Sequence, residues 1–367
     1  SSEVLETYCA VKDLCLTPAP SGFEMEIGRK VADYLQTSCQ HVEIDHVGNV
    51  IGKISGRNNS LRPIIINAHM DRVGFIVSSI GEDGFLKLCV IGTPNEKVLP
   101  GLTLSVRNKE KSRWIEAVVG TKCAHLSTPE DASKAPKLEN CMIDIGADSA
   151  KEVRAMGVEV GSPVVYTPSF SRLSKTRVCG TAIDNCGSVA ALIDCARLLS
   201  ETQPERDVYL VGNVWEEYNQ RATTFLVRRY NPLAVINMDM LLAGDTPDVR
   251  GQFEGSLGKG PMVSCYNFAC PPFAGTIAHD GLLQLAEDTS QKLGTGMQRY
   301  VCVGGLGDNA YAGLEIDGPA VIEIGSPVRY AHSSREVADL EDISRQARLV
   351  AGMATRIGPA FRQGRFV

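Results

Sequence analysis

The spacing of hydrophobic and polar positions changes period along the chain. Residues 3–16 (EVLETYCAVKDLCL) and 24–37 (EMEIGRKVADYLQT) carry apolar side chains at helical intervals, separated by the turn-rich TPAPSG of 17–22. A strand-like stretch follows over 42–54. PIIIN at 63–67 comes next, and its unbroken Ile64-Ile65-Ile66 reads as a strand covered on both faces, as in a parallel sheet. From about Gly74 to Ser174 helical spacing nearly vanishes. Short strand-like pieces (FIVSSI, FLKLCVI, LTLSVRN, WIEAVVG, CMIDIGA, PVVYTP) are divided by Gly, Pro and Asn, with one short helix candidate, SAKEVRAMG at 149–157. Beyond Cys179 strands and helices alternate again. Asp184-Asn185 opens a helix through GSVAALIDCARLLS. Strands at 207–215, 233–238 and 319–325 then interleave with helices at 222–230, 281–294 and about 342–357.

This texture predicts an α/β fold: a mostly parallel sheet with helices on both faces, interrupted by a small β-barrel-like domain. The α/β part is discontinuous, residues 1–73 and 175–367. Residues 74–174 form the inserted β-rich domain, since compact proteins rarely carry a structureless loop of that length.

Composition narrows the function classes. The chain has 367 residues, 44% hydrophobic and 22% charged, a globular profile long enough to bury a sizeable core. Its net charge of −6 carries no basic block, which argues against nucleic acid or an anionic membrane as partner. With no run of 18 apolar residues and no signal-peptide pattern at Ser1-Ser2-Glu3-Val4, a cytoplasmic location is expected. The 12 cysteines contain no C-x-x-C pair. Most sit in apolar runs, as do Cys89, Cys195 and Cys302, and read as reduced core thiols rather than disulfides or metal ligands.

In open α/β sheets ligands bind beyond the carboxyl ends of the strands. There PIIIN delivers His69 and Asp71, the 207–215 strand delivers Glu216-Glu217, and LAVINM delivers Asp239. PAVIEIG leads to a loop with His332, and Asp184 opens the long helix. Each has an ordinary structural reading: a helix cap for Asp184, a solvated strand end for the glutamates, a core or loop histidine. Asp239 between Met238 and Met240 fits such a reading less well, because a buried carboxylate needs a partner. Convergence of five elements on one edge points to a metal or catalytic site. Two histidines and three carboxylates, one bridging, suit a pair of borderline divalent ions about 3.5–4 Å apart. Calcium or magnesium would use oxygens alone.

The order H-x-D, Asp opening a helix, E-E, Asp, His resembles the co-catalytic dinuclear metallo-aminopeptidases. The segments A-H-M-D-R-V-G-F-I-V, G-T-A-I-D-N-C-G, W-E-E, L-G-K-G-P and P-V-R-Y-A-H-S-S are most similar to the branch of glutamyl and tetrahedral aminopeptidases, some members of which have been labelled endoglucanases. The resemblance covers nearly the whole chain. It implies that His69 and Asp239 hold one metal, Glu217 and His332 the other, and that Asp184 bridges them. Glu216 would be the general base and Asp71 the carboxylate that orients the His69 imidazole. The two ions, zinc with cobalt or manganese as the other candidates, would acidify a water and polarise the scissile carbonyl. Short peptides would be the substrate, and a homo-oligomer, up to a tetrahedral dodecamer, the assembly.

Three segments depart from the family pattern. E-E-V-G-x-R-G-A is E-E-Y-N-Q-R-A-T here, with Arg221 kept; the second Asp of a D-D pair is Asn185; and G-G-T-D-A becomes G-G-L-G-D-N-A, with Asp308 in the matching place. Asp308 and Arg329 are candidate substrate contacts, and Arg329 has bracing of its loop as the other reading. The glycine-rich 257–260 and 304–307 lack a P-loop ending and read as turns. Two other functions compete with this reading. A glycoside hydrolase using Glu216 and Glu217 is disfavoured because neighbours on a strand point to opposite faces. A metal-holding, non-peptidolytic protein or a hydrolase of a modified substrate is motivated by the altered E-E-Y-N-Q, but a protein that only holds metal would have no need of Glu216.

Overall fold

The computed structural model describes residues 2–111, 113–129 and 134–365. Helices α1 (Ser2–Cys15) and α2 (Met25–Gln36) lead into strands β1 (His41–Ile44), β2 (Val50–Ile54) and β3 (Ile64–His69). Six strands and one helix follow: β4 (Gly74–Ile80), β5 (Leu86–Ile91), β6 (Thr103–Arg107), β7 (Trp114–Gly120), β8 (Met142–Asp144), α3 (Ala150–Ala155) and β9 (Pro163–Tyr166). The chain then runs through β10 (Phe170–Arg172), β11 (Arg177–Gly180), α4 (Ile183–Thr202), β12 (Val208–Asn213), α5 (Glu216–Asn219), α6 (Ala222–Tyr230) and β13 (Ala234–Leu242). Its last part comprises β14 (Met262–Ala269), β15 (Ala274–Ile277), α7 (Asp280–Leu293), β16 (Gln298–Val303), α8 (Asn309–Ala312), β17 (Ala320–Arg329), β18 (Glu336–Asp339) and α9 (Leu340–Arg356).

The main sheet has 12 strands in the order β1-β2-β12-β3-β13-β17-β18-β11-β10, and β14, with β15 and β16, branches from β17. Its centre, β12-β3-β13-β17, is parallel throughout, so four carboxyl ends share one edge. The Ile64–Ile66 run shows why such a strand has no polar face. Ile64 and Ile66 belong to the same apolar cluster as Val189 and Leu192 of α4, whereas Ile65 belongs to a separate cluster with Leu226 and Val227 of α6. Helices therefore cover both faces, as the alternation predicts.

Strands β4-β5-β8-β7-β6-β9 close into an antiparallel barrel around Phe75, Leu86, Leu104, Val119, Ile143 and Val164. Closure removes the exposed edges that such short strands would otherwise present. Among the described residues no helix is long and apolar enough to cross a membrane.

Some expectations need correction. The strands β14, β15 and β16 carry no clear period-two signal, because β14 buries Ser264 and Asn267 along with its apolar residues. Asp184 does not cap α4: it and Asn185 lie outside helical dihedrals, at φ −78°, ψ 104° and φ −119°, ψ 24°. Of the cysteines cited as core thiols, Cys195 is buried, but Cys89 is exposed on the outer face of β5 and Cys302 is half-buried.

Candidate metal centre

The parallel strands bring His69 and Asp239 to the same edge, from the end of β3 and from within β13. After β12 the chain turns through Trp215, a left-handed residue at φ 66°, into the single helical turn α5 that presents Glu216 and Glu217. Ala182 (φ 54°) makes the same kind of turn before Asp184, and Tyr330 (φ 61°) and His332 (φ 63°) do so beyond β17. Left-handed backbone is unfavourable for residues with a Cβ, and here it aims side chains that a regular strand end would not aim.

Two groups of donors result, His69–Asp184–Asp239 and Asp184–Glu217–His332, which share Asp184. His69 Nε2 lies 3.4 Å from Asp184 Oδ1 and 3.4 Å from Asp239 Oδ1. His332 Nε2 lies 3.3 Å from Glu217 Oε1 and 3.6 Å from Asp184 Oδ2. These separations are long for hydrogen bonds. Two donors on one tetrahedral ion, each about 2.0–2.2 Å from it, stand roughly 3.3–3.6 Å apart, so the donor set fits a metal in each group.

The far side of each imidazole is fixed as a neutral ligand requires. His69 Nδ1 is 3.0 Å from the main-chain oxygen of Asp71, and His332 Nδ1 is 3.0 Å from the main-chain oxygen of Thr93 and 2.8 Å from its Oγ1. A proton donated there leaves each Nε2 lone pair facing the carboxylates. Asp71's carboxylate has a different task from the one expected. It accepts hydrogen bonds from Ser21 Oγ (2.5 Å) and from the amides of Glu216 and Glu217 (3.0 Å each), while lying 3.5 Å from the imidazole. It therefore anchors the turn that carries both glutamates.

The charges of the cluster are balanced only by cations. Burial alone would lower the His332 pKa, but the Asp184 and Glu217 carboxylates push it up to about 12. Burial also raises Glu216 well above the usual carboxylate range, with Glu217 and Asp239 adding to the effect that His69 opposes. For Asp184 the two imidazolium rings outweigh burial and hold its pKa below the ordinary value. Positive charge between the carboxylates is what this arrangement favours, and divalent ions supply it without protons.

Glu216 belongs to neither group. Its Oε2 is 3.8 Å from His69 Nε2, and its Oε1 accepts from Gln220 Nε2 at 3.0 Å, whose amide also reaches the Leu306 carbonyl at 3.1 Å. Because the two glutamates sit on a helical turn, the strand-alternation argument against a glycosidase does not apply. The geometry replaces it: the glutamates face different histidines.

The cavity over the cluster has a volume of about 670 Å³. Neither expected substrate contact lines it. Arg329 is taken up by Asp245, with Nε and Nη2 at 2.7 and 2.6 Å from the carboxylate, so it braces its loop. Asp308 is fully buried, accepts from Asn213 Nδ2 at 2.6 Å, and is raised by burial to about 7. Sequence reasoning missed Glu336, whose two oxygens hold the amides of Asp184 (2.8 Å) and His332 (2.7 Å). It also missed Thr93 and Tyr166 from the barrel; the Tyr166 hydroxyl donates to the His332 carbonyl at 3.2 Å. No local pattern marks these residues.

The sequence profile of the M42 glutamyl aminopeptidases matches residues 48–349. The chain is 30% identical over 337 residues to a putative aminopeptidase, SgcX, of Escherichia coli K12, covering 92% of this chain and 90% of that one. It is 28% identical to the lysyl aminopeptidase of Pyrococcus furiosus, over 95% of this chain and 97% of that one. Among solved structures it superposes on an aminopeptidase of the archaeon Desulfurococcus kamchatkensis with a TM-score of 0.90 at 29% identity, over 97% and 96% of the two chains.

Proposed function

Because the chain belongs to the M42 glutamyl aminopeptidase family, we propose that it removes N-terminal residues from short peptides at two divalent ions. His69, Asp184 and Asp239 would hold one ion, and Asp184, Glu217 and His332 the other. The observation that carries this reading is the pair of donor groups sharing Asp184, with nitrogen–oxygen separations of 3.3 to 3.6 Å. Zinc suits the mixed imidazole and carboxylate donors, and cobalt or manganese would also fit. Ions bound there supply Lewis acidity, which polarises the scissile carbonyl and acidifies the attacking water.

The remaining chemistry falls to the chain's own groups. Glu216, buried and outside both donor groups, takes the proton of the attacking water on its carboxylate and passes it to the leaving amine. Gln220 holds Oε1 of that carboxylate, which leaves Oε2 on the His69 side for the proton. Asp71 keeps the turn in register with the histidine strand.

The same reading takes residues 1–73 with 175–367 as the catalytic domain and 74–174 as an inserted domain, supported by the barrel's separate apolar core. A cytoplasmic homo-oligomer, up to a dodecamer, accompanies it as the assembly that family resemblance implies, and light scattering measures it.

The test is hydrolysis of aminoacyl-p-nitroanilides by metal-stripped protein, with zinc, cobalt or manganese restored and metal counted by elemental analysis. Activity should return only with metal, near two ions per chain. Glu216→Gln should retain the metal and lose about 10²–10⁴-fold in kcat. A metal-loaded Glu216→Gln enzyme with near-normal kcat would remove Glu216 from the role of base.

A further inference from the structure

The cavity carries one acidic group that the proposed chemistry does not use. Glu323, on β17, is 3% exposed yet contributes to the cavity lining. Its Oε1 accepts from Asn237 Nδ2 at 2.9 Å and its Oε2 from Asn267 Nδ2 at 2.8 Å. Burial raises its pKa to about 7, while Asn237, Asn267 and Ser264 favour its anion. The neighbouring loop is shaped around it: a Cβ on Gly307 would stand 1.9 Å from Glu323 Oε1, so only glycine allows this approach. Gly307 lies in the G-G-L-G-D-N segment where the chain departs from its family pattern.

Charge counting sets this residue apart. Two divalent ions would offset Asp184, Glu216, Glu217 and Asp239, which leaves Glu323 as the one uncompensated carboxylate of the lining. Among the described residues the lining holds no Lys or Arg. An acidic substrate side chain would meet no cationic side chain there. A desolvated carboxylate facing a cavity calls for a cationic partner.

Position and shape agree. Glu323 pairs with Asn237 across β13, two residues before Asp239, so it lies on the same face about 7 Å deeper along the strands. That depth suits a four-carbon stem ending in an ammonium. Tyr300, Leu306 and Cys302 on the lining offer apolar surface to such a stem.

We propose that Glu323 is the specificity-determining residue of this site and selects peptides whose N-terminal residue is basic, lysine or arginine. The inference rests on the aminopeptidase reading above. It is tested by comparing kcat/KM for lysyl-, norleucyl- and glutamyl-p-nitroanilide in the metal-loaded wild type and in Glu323→Gln, with folding checked by thermal melting.

Lysine should exceed norleucine by about 30-fold or more, the discrimination one charge-assisted hydrogen bond supplies, and glutamate should be poorest. Glu323→Gln should lower the lysine-to-norleucine ratio at least about tenfold. A ratio near one in the wild type, or a ratio unchanged in the variant, overturns the proposal. Cleavage of the norleucyl substrate upholds the aminopeptidase reading whichever way the ratio falls. If no substrate is cleaved, that reading fails, and calorimetry with the uncleavable L-lysinol and L-norleucinol decides the side-chain question. Tighter lysinol binding that Glu323→Gln abolishes supports the carboxylate's role, and equal binding refutes it.

Discussion

Replacing Asp71 by asparagine keeps the side chain's shape and removes the charge on which the turn with Glu216 and Glu217 hangs. Three donors converge on this carboxylate, the Ser21 hydroxyl at 2.5 Å and two main-chain amides at 3.0 Å, and the residue is 1% exposed. Asparagine offers one acceptor oxygen and sets an NH₂ group against at least one of those donors. Losing one charge-assisted hydrogen bond and weakening a second costs about 2–4 kcal/mol, at about 1.5–3 kcal/mol per bond. Part of that appears as lower stability. The rest appears as a displaced turn, and a shift of about 1 Å at a catalytic group lowers turnover by about 100-fold.

The His69 imidazole bonds the main-chain oxygen of residue 71, which the substitution leaves in place. Affinity for the ion at His69 should therefore stay within several-fold of wild type, while displacement of Glu217 weakens the second ion and kcat at saturating zinc falls by about two orders of magnitude. Chelator competition measures the affinity, and p-nitroanilide kinetics under excess zinc measures kcat. If Asp71 instead acts through the imidazole, affinity for the ion at His69 falls about 10–100-fold and excess zinc restores kcat. That outcome would refute the assignment of the carboxylate to the turn.

Three further outcomes follow from contacts around the site. Glu336→Gln should weaken metal binding by about 10–100-fold, because one side chain holds the main chain at both Asp184 and His332; chelator titration checks this. Arg329→Met should leave KM within about threefold, since the guanidinium braces Asp245 away from the lining, and should cost about 1–3 kcal/mol in urea unfolding at pH 7. Burial pushes the Asp245 carboxyl up, but Arg329 outweighs it and holds the pKa below the ordinary value. The stability from that pair is thus present above the unfolded carboxylate pKa and lost as pH falls through the folded one, so variant and wild type should converge below about pH 4. Asp342 has the opposite sign. Burial raises it to about 6 although the amides of Gly258 and Gly260 favour its anion, so its contribution falls as pH rises from about 4 to 6. The span is about 3 kcal/mol, and Asp342→Asn should flatten that part of the stability-versus-pH curve.

What was legible in the sequence, and what was not, divides along a physical line. Period and strand-end position are local properties, so the β3, β12, β13 and β17 strands were readable, and with them the edge where His69, Glu216, Glu217 and Asp239 gather. Three kinds of feature were not readable. Glu336, Thr93 and Tyr166 act on the site through hydrogen bonds that involve main-chain atoms and, apart from the Glu336–His332 bond, join residues far apart in sequence, and such bonds leave no periodic trace. The strand β14 buries Ser264 and Asn267, and buried polar residues make a strand resemble a loop. Helical and strand templates also have no place for left-handed residues with side chains.

The last of these bears on how the site works. Ala182, Trp215, Tyr330 and His332 all adopt positive φ within two residues of a proposed ligand or the base, or at one. Each costs of order 1–3 kcal/mol locally, and surrounding packing has to hold it. Glu336 supplies part of that restraint at two of the four turns, since it binds the amides just past Ala182 and at His332 itself. Asp71 supplies it just past Trp215 through the amides of Glu216 and Glu217. These two buried carboxylates, neither of them in a donor group, therefore convert backbone turns that local preference opposes into fixed positions for the donors that surround them.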